Sequence, residues 1–336
     1  MSSTNATELC PGCSEPTHTG DAFCEGCGHR LDGEVAPEVQ CAWCSEVVVD
    51  GYCVACGLAQ PKEGDHIEIA SRYAAGVCDI GRRYRTNQDS LSVRSAPDRP
   101  LVAAVVCDGV SSSPKSEVAA QAAATAGTET LLAEFPSDAD GHRATSAALS
   151  AAARAAAEIA DSPNQAPACT YVSAVVAADN GTDPTAHAIT VGWVGDSRAY
   201  WVSADPSTPS TVLTRDDTWA EYMVAQGALS EEEAHAAPSS GALVGWLGAD
   251  AEEINGHVTT VTARAPGALV LCSDGLWNYL PEAEQLAAAV PDAADDPLSA
   301  ARAYTRIANE AGGRDNISVV VIPIPLRPTL QGDPTR

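Results

Sequence analysis

Two groups of residues in this sequence have the types and spacing to do chemistry: a series of aspartates set against apolar runs, and cysteines in close pairs. The aspartate motifs are Asn87-Gln88-Asp89, Cys107-Asp108-Gly109, Gly195-Asp196-Ser197-Arg198, Ser273-Asp274-Gly275 and Arg314-Asp315-Asn316. A single Asp-Gly after a strand is weak evidence, because the same pair is a common turn signal. Five such motifs abutting apolar segments say more. Carboxylates gathered at one end of a sheet repel one another unless a cation sits among them. Hard oxygen ligands of this kind suit Mg²⁺ or Mn²⁺ rather than Zn²⁺.

The cysteines divide cleanly. Eight of the twelve fall in C-x-x-C pairs within the first 56 residues: Cys10/Cys13, Cys24/Cys27, Cys41/Cys44 and Cys53/Cys56. The first set runs C-x2-C-x10-C-x2-C and the second repeats it as C-x2-C-x8-C-x2-C, an internal duplication. A C-x-x-C turn puts two thiolates on one side of a tight knuckle, and a second turn completes a tetrahedron around Zn²⁺. Redox dithiols and iron–sulfur ligation compete with that reading. Two structural zinc sites are preferred because all eight ligands are used at zinc-ribbon spacing. Gly12, Gly26, Gly28 and Gly57 stand where knuckle turns want small residues. The other four, Cys78, Cys107, Cys169 and Cys272, read as small buried apolar residues.

These groups need elements to hold them. Residues 1–60 form a double zinc-ribbon domain, 61–70 a linker, 71–326 the larger domain and 327–336 a mobile tail. In the larger domain, apolar strand runs at 101–107, 171–177, 189–195, 268–272 and 317–324 alternate with Ala-rich helical runs at 116–134, 143–160, 230–236 and 298–311. Ser230 followed by Glu233 forms a capping-box pattern. The formal charge of −26 argues against nucleic acid, whose phosphates need Lys and Arg. Residues 1–60 hold one Arg and nine carboxylates, so the ribbons are expected to be structural or to dock a protein, with Trp43 and Tyr52 available as aromatic contacts. No apolar stretch reaches the length of a membrane span. The first residues lack the basic and apolar regions of a signal peptide, so a cytoplasmic location is expected.

The aspartate motifs, in this order and over residues 71–326, resemble those of the protein phosphatase 2C family of metal-dependent Ser/Thr phosphatases. The resemblance implies an α+β fold, a four-layer α-β-β-α sandwich of two antiparallel sheets, with two Mn²⁺ or Mg²⁺ ions at one end. It implies that Asp108 bridges both metals and that Asp274 and Asp315 complete the first. It further implies that the Gly109 carbonyl binds the second, with Asp89 assisting directly or through water, that Asp196 shares a weaker third metal with Asp274, and that Asp108, Asp274 and Asp315 carry the catalytic centre with Asn316 and Arg198 in support. A metal-bridging hydroxide then attacks phosphorus in line without a phosphoenzyme. The implied substrates are phosphoserine and phosphothreonine on proteins, opposing a cognate Ser/Thr kinase.

Three positions depart from the family pattern. Tyr84 stands where an Arg usually grips the substrate phosphate, and Arg83 and Arg85 flank it as substitutes. Val110 follows Asp108-Gly109 where many members carry a His. Gln88 replaces a Glu found in part of the family. The run Ser111-Ser112-Ser113 reads either as a reshaped mouth of the site or as a turn capping the helix at 116. Residues 215–248 resemble the substrate-side flap. The alternative reading is a weakly active or inactive phosphatase-fold scaffold that binds partners through its zinc ribbons.

Overall fold

The computed structural model describes residues 7–328 apart from 19–23, 28–30, 32–39, 42–43, 50, 58–59, 61, 63, 136–140, 163–164, 179–185, 206 and 252–255. Trp43, Gly28 and most of the expected tail therefore lie outside the described residues. The chain divides into two compact units, Met1–Gln60 and Pro61–Arg336.

In the first unit, strands β1 (Thr7–Leu9) and β2 (Pro16–His18) pair antiparallel, as do β3 (Val48–Val49) and β4 (Tyr52–Cys53). The β1–β2 hairpin encloses the Cys10/Cys13 knuckle, and the Gln40–Val47 bridge encloses Cys41/Cys44. The duplication extends to the backbone. The residue after the second Cys turns left-handed at Ser14 (φ 64°), Ser45 (φ 62°) and Gly57 (φ 71°). Its amide then bonds the carbonyl of the first Cys, at 2.8, 2.9 and 3.0 Å respectively.

The second unit opens with strands β5 (His66–Ala70), β6 (Ala75–Asp79), β7 (Ser90–Ser95) and β8 (Leu101–Cys107). Helices α1 (Ser116–Glu134) and α2 (Gly141–Ala157) follow, then β9 (Ala168–Cys169), β10 (Tyr171–Ala178), β11 (His187–Val194), β12 (Arg198–Ser203) and β13 (Thr211–Val212). Next come α3 (Trp219–Ala225), α4 (Glu231–Ala236), β14 (Leu247–Gly248), β15 (His257–Ala263) and β16 (Gly267–Cys272). The last elements are α5 (Asp274–Trp277), α6 (Ala283–Ala289), α7 (Pro297–Glu310) and β17 (Ile317–Ile324).

Two antiparallel sheets form, ordered β15-β11-β10-β8-β7 and β13-β12-β16-β17-β6-β5. Between them lie Val102, Ala104 and Val106 of β8 against Leu269, Leu271, Val320 and Ile322. The opposite face of β8, with Leu101, Ala103, Val105 and Cys107, packs beneath the alanine faces of α1 and α2. Val319 and Val321 of β17 meet Tyr304 and Ala308 of α7 in the same way. The result is the expected α-β-β-α sandwich. Each central strand is buried on both faces, so its sequence is a continuous apolar run rather than an alternation.

Part of the expected linker is sheet. Residues 66–70 form the edge strand β5, which pairs with β6 from His66 opposite Asp79 to Ala70 opposite Ala75. It is short and slightly buried, with His66 and Glu68 interrupting its apolar residues, so the pattern lacked the continuous apolar run of the central strands. Ser230 and Glu233 form the full capping box. The serine run does not cap α1, whose first flanking residue Lys115 makes no side-chain cap. Ser113 instead donates to the Val110 carbonyl at 2.8 Å and accepts the Ala168 amide at 3.0 Å.

Candidate metal centre

Strand register sets the aspartates in place. In β7–β8, Ser90 lies opposite Cys107, so Asp89 entering one strand stands beside Asp108 leaving the other. In the second sheet Cys272 lies opposite Val319, which sets Ser273-Asp274 beside Asp315-Asn316. Asp196 follows two residues after the end of β11.

Hydrogen bonds join these ends. Asn316 accepts the Gln88 amide through Oδ1 and donates through Nδ2 to the Ile80 carbonyl, both at 2.8 Å. Ser273 Oγ donates to the Asp89 carboxylate at 2.7 Å and accepts the Ser318 amide at 3.0 Å. The Asp108 amide donates to Thr170 Oγ1 at 3.0 Å, and that hydroxyl lies 2.7 Å from Ser197 Oγ. Asn278 Nδ2 holds one oxygen of Asp274 at 3.1 Å, and the Asn316 amide holds one of Asp315 at 2.8 Å. The glycines of the two Asp-Gly pairs are required by close approach. A Cβ on Gly109 would lie 2.6 Å from the Gln88 carbonyl, and one on Gly275 would lie 1.9 Å from that of Asn316.

The charges are left unbalanced. Burial pushes Asp89 and Asp196 up to about 7 and Asp274 up to about 6, and neighbouring carboxylates push the same way. Burial raises Asp108 far above the usual range, with Asp89, Asp274, Asp196 and Asp315 all adding to it. Asp315 is raised by burial as well. Asp274 Oδ1 is buried without a hydrogen-bond partner. Arg198 offsets only part of the charge on Asp196. Its Nε and Nη2 grip Asp216 at 2.9 and 2.8 Å, and its guanidinium lies 3.8 Å above the Trp277 ring. An orphaned carboxylate oxygen among mutually repelling carboxylates suits a hard divalent cation, although among the described residues only the two cysteine sets bring three or more ligand atoms within 4.8 Å of one another.

The supporting roles of three residues were not read from the sequence. Trp277 Nε1 donates to the Asp196 carbonyl at 2.8 Å. Ser273 and Asp216 act through Asp89 and Arg198 as described above. Their signal was adjacency: Ser273 precedes Asp274, and Trp277 sits on the same helical turn. Arg83 and Arg85 lie exposed on the loop between β6 and β7, with Tyr84 half-buried between them.

In the first unit each cysteine set gathers its four sulfurs within 4.8 Å of one another. Cys10–Cys27, Cys13–Cys24, Cys41–Cys56 and Cys44–Cys53 lie 3.6, 3.5, 3.7 and 3.4 Å apart. These separations are too long for disulfides. They approach the edge of roughly 3.8 Å that a tetrahedron with Zn–S bonds of about 2.3 Å requires. The Gly12 amide donates to Cys10 Sγ at 3.3 Å, and the Ala55 and Cys56 amides both donate to Cys53 Sγ at 3.4 Å. Such bonds favour thiolate.

Fold and centre together define a two-sheet sandwich with a carboxylate cluster at its strand ends. Residues 82–309 match the family model described as Protein phosphatase 2C, and the chain belongs to that family. It is 30% identical over 261 residues to the serine/threonine protein phosphatase PstP of Mycobacterium tuberculosis, covering 76% of this chain and 45% of that protein. The serine/threonine phosphatase stp of Listeria innocua is 31% identical over 135 residues, 40% of this chain and 51% of that protein. The chain thus spans about half the length of these curated relatives. The crystal structure of M. tuberculosis PstP/Ppp superposes with TM-score 0.59 at 27% identity, over 75% of this chain and 97% of that one. The PstP catalytic domain in complex with two manganese ions superposes at 0.56, also at 27% identity and with the same coverage. Among the described residues no helix is long and apolar enough to cross a membrane.

Proposed function

We propose that the chain hydrolyses phosphoserine and phosphothreonine on proteins in a Mn²⁺- or Mg²⁺-dependent reaction, opposing a Ser/Thr kinase. The observation that carries this reading is the convergence of Asp89, Asp108, Asp196, Asp274 and Asp315 with Asp274 Oδ1 unpartnered. Asp108, Asp274 and Asp315 would hold one divalent ion. Asp108, the Gly109 carbonyl and Asp89 would hold the second, and Asp196 with Asp274 a weaker third. Ions held there supply Lewis-acid charge for the phosphoryl oxygens and a water of lowered pKa.

The residues of the chain do the positioning. Asn316 fixes the Gln88 amide and the Ile80 carbonyl, and so sets the loop that carries Arg83 and Arg85 towards a substrate phosphate. Ser273 orients the Asp89 carboxylate. Arg198, Asp216 and Trp277 hold the backbone of Asp196. Val110 offers no proton, so the leaving alkoxide takes its proton from water or from another acid. Four-cysteine sites of this spacing suit one structural Zn²⁺ each. These ribbons serve as a docking module for a protein partner, and a cytoplasmic setting keeps the thiols reduced.

The test is hydrolysis of p-nitrophenyl phosphate and a phosphothreonine peptide with added Mn²⁺, with Mg²⁺ and without divalent metal. Turnover that appears with Mn²⁺ or Mg²⁺ and stops without them is expected, and equal turnover in all three overturns the reading. Tyr84 and Val110, at the usual places of an Arg and a His, favour a second reading: a metal-loaded scaffold with little turnover. Bound metal without hydrolysis of either substrate is its signature.

A further inference from the structure

Beside the Asp108-Gly109 turn lies a cavity of about 490 Å³ that the hydrolytic centre does not use. Its walls include Val110, Gln165, Ala168, Leu243, Trp246 and Asp250, and among the described residues no Lys or Arg lines it. A short ladder ties it to the centre. Gly109 bridges to Cys169, and β9 pairs with β14 through Cys169 opposite Leu247. Leu247 and Cys169 are fully buried, so the ladder is anchored and Trp246 at its edge is held to it.

Trp246 is fixed further by its own neighbour. Its Nε1 donates to Asp250 Oδ1 at 3.0 Å. Gly248 makes this possible, because a Cβ there would lie 2.9 Å from the same Asp250 oxygen. The cavity thus presents an indole braced by a carboxylate that keeps a second oxygen in play. An aromatic face next to a carboxylate attracts a cationic side chain by both cation–π and ionic terms.

Whole-molecule charge points to the same occupant. The chain carries −26, so a phosphorylated segment is repelled on approach, and a basic residue flanking the phosphate offsets that. We propose that this cavity is a subsite for an Arg or Lys side chain of the phosphoprotein substrate. The inference rests on the phosphatase reading above and specifies which substrates it favours. From Gly109 to Leu247 is two strand spacings, roughly 10 Å. An extended peptide advances about 3.3 Å per residue, so the basic residue belongs about two or three positions from the phosphorylated one.

The experiment compares phosphothreonine peptides carrying Arg two or three positions to either side with the all-Ala parent. The Arg/Ala ratio of kcat/KM is taken within each protein, so that any general loss of activity cancels. Wild type is expected to favour one Arg peptide by about five- to twentyfold, the range of a cation–π contact plus an exposed ion pair. Trp246→Ala and Asp250→Asn reduce that ratio to below about twofold. Asp250→Lys reverses it in favour of a Glu peptide, a gain that misfolding cannot produce. Wild type that hydrolyses p-nitrophenyl phosphate and every peptide equally overturns the subsite alone, as does Asp250→Asn retaining the preference. Wild type that hydrolyses neither kind of substrate with Mn²⁺ overturns the phosphatase reading, and the subsite with it.

Discussion

Withholding divalent metal from the aspartate centre should make the second unit lose stability as pH rises. In the fold Asp89 and Asp196 keep their protons up to about 7 and Asp274 up to about 6, against roughly 3.9 for an unfolded-chain Asp. A carboxyl raised in this way binds more protons in the native state than in the unfolded one. Its stabilisation is full below the unfolded pKa, declines above about pH 4 and is gone once pH passes the folded value near 7. At about 1.4 kcal/mol per pKa unit, shifts of two to three units at three sites set a ceiling of roughly 10 kcal/mol. The sites repel one another and titrate as a coupled set. On these values about two-thirds of the ceiling falls between pH 5 and 8, and the coupling roughly halves it, to on the order of 3 kcal/mol or a melting-point fall of roughly 10 °C. His66, raised by Asp79 and Glu68 against the opposing effect of burial, has the same sign but does not respond to Mn²⁺. The assay is thermal melting followed by tryptophan fluorescence, since Trp43 alone of the six tryptophans lies in the first unit. Protein freed of Mn²⁺ but retaining zinc is compared with protein in millimolar Mn²⁺. With Mn²⁺ most of the fall should vanish, because the cation replaces the protons, leaving only the smaller share from His66. A metal-free melting point that is flat or rising from pH 5 to 8, or an equal fall with Mn²⁺, would refute the reasoning.

Other substitutions probe the supports. Asp216→Ala leaves the largely buried Arg198 guanidinium without its carboxylate partner and should cost about 3 kcal/mol, seen as a melting-point drop of roughly 6–12 °C; a drop below about 2 °C contradicts the role given to that pair. Elemental analysis should find two zinc per chain and one in Cys41→Ser, whereas iron, or no metal, removes the ribbon assignment. Tyr84→Arg should lower KM for a phosphothreonine peptide about three- to tenfold through one charge-assisted hydrogen bond. An unchanged KM separates that loop from the phosphate.

The central strands and the aspartates were legible in the sequence for one shared reason. A strand buried on both faces must be apolar throughout, so Leu101–Cys107 and Ile317–Ile324 stand out, and a carboxylate abutting such a run is conspicuous. The cysteine sets were legible by spacing, and their repetition reappears in the left-handed turns at Ser14, Ser45 and Gly57. The edge strand His66–Ala70 was not, because an exposed strand with charged residues has the composition of a linker. Long-range partners were hidden for a different reason. The bond from Ser273 to Asp89 spans 184 residues and that from Gln88 to Asn316 spans 228, distances at which only the folded register brings groups together. Trp277 lies one helical turn from Asp274, but its bond to the Asp196 carbonyl spans 81 residues and was hidden in the same way.

The central claim is that Asp108 belongs to a divalent-metal centre that hydrolyses phosphoprotein. Its most direct test is turnover of a phosphothreonine peptide at saturating Mn²⁺ by wild type and by Asp108→Ala. The account predicts steady turnover by wild type and a loss of about 1,000-fold or more in the variant, equivalent to about 4 kcal/mol of barrier. Mn²⁺-dependent turnover that survives in Asp108→Ala within about tenfold, roughly 1.4 kcal/mol, would contradict it.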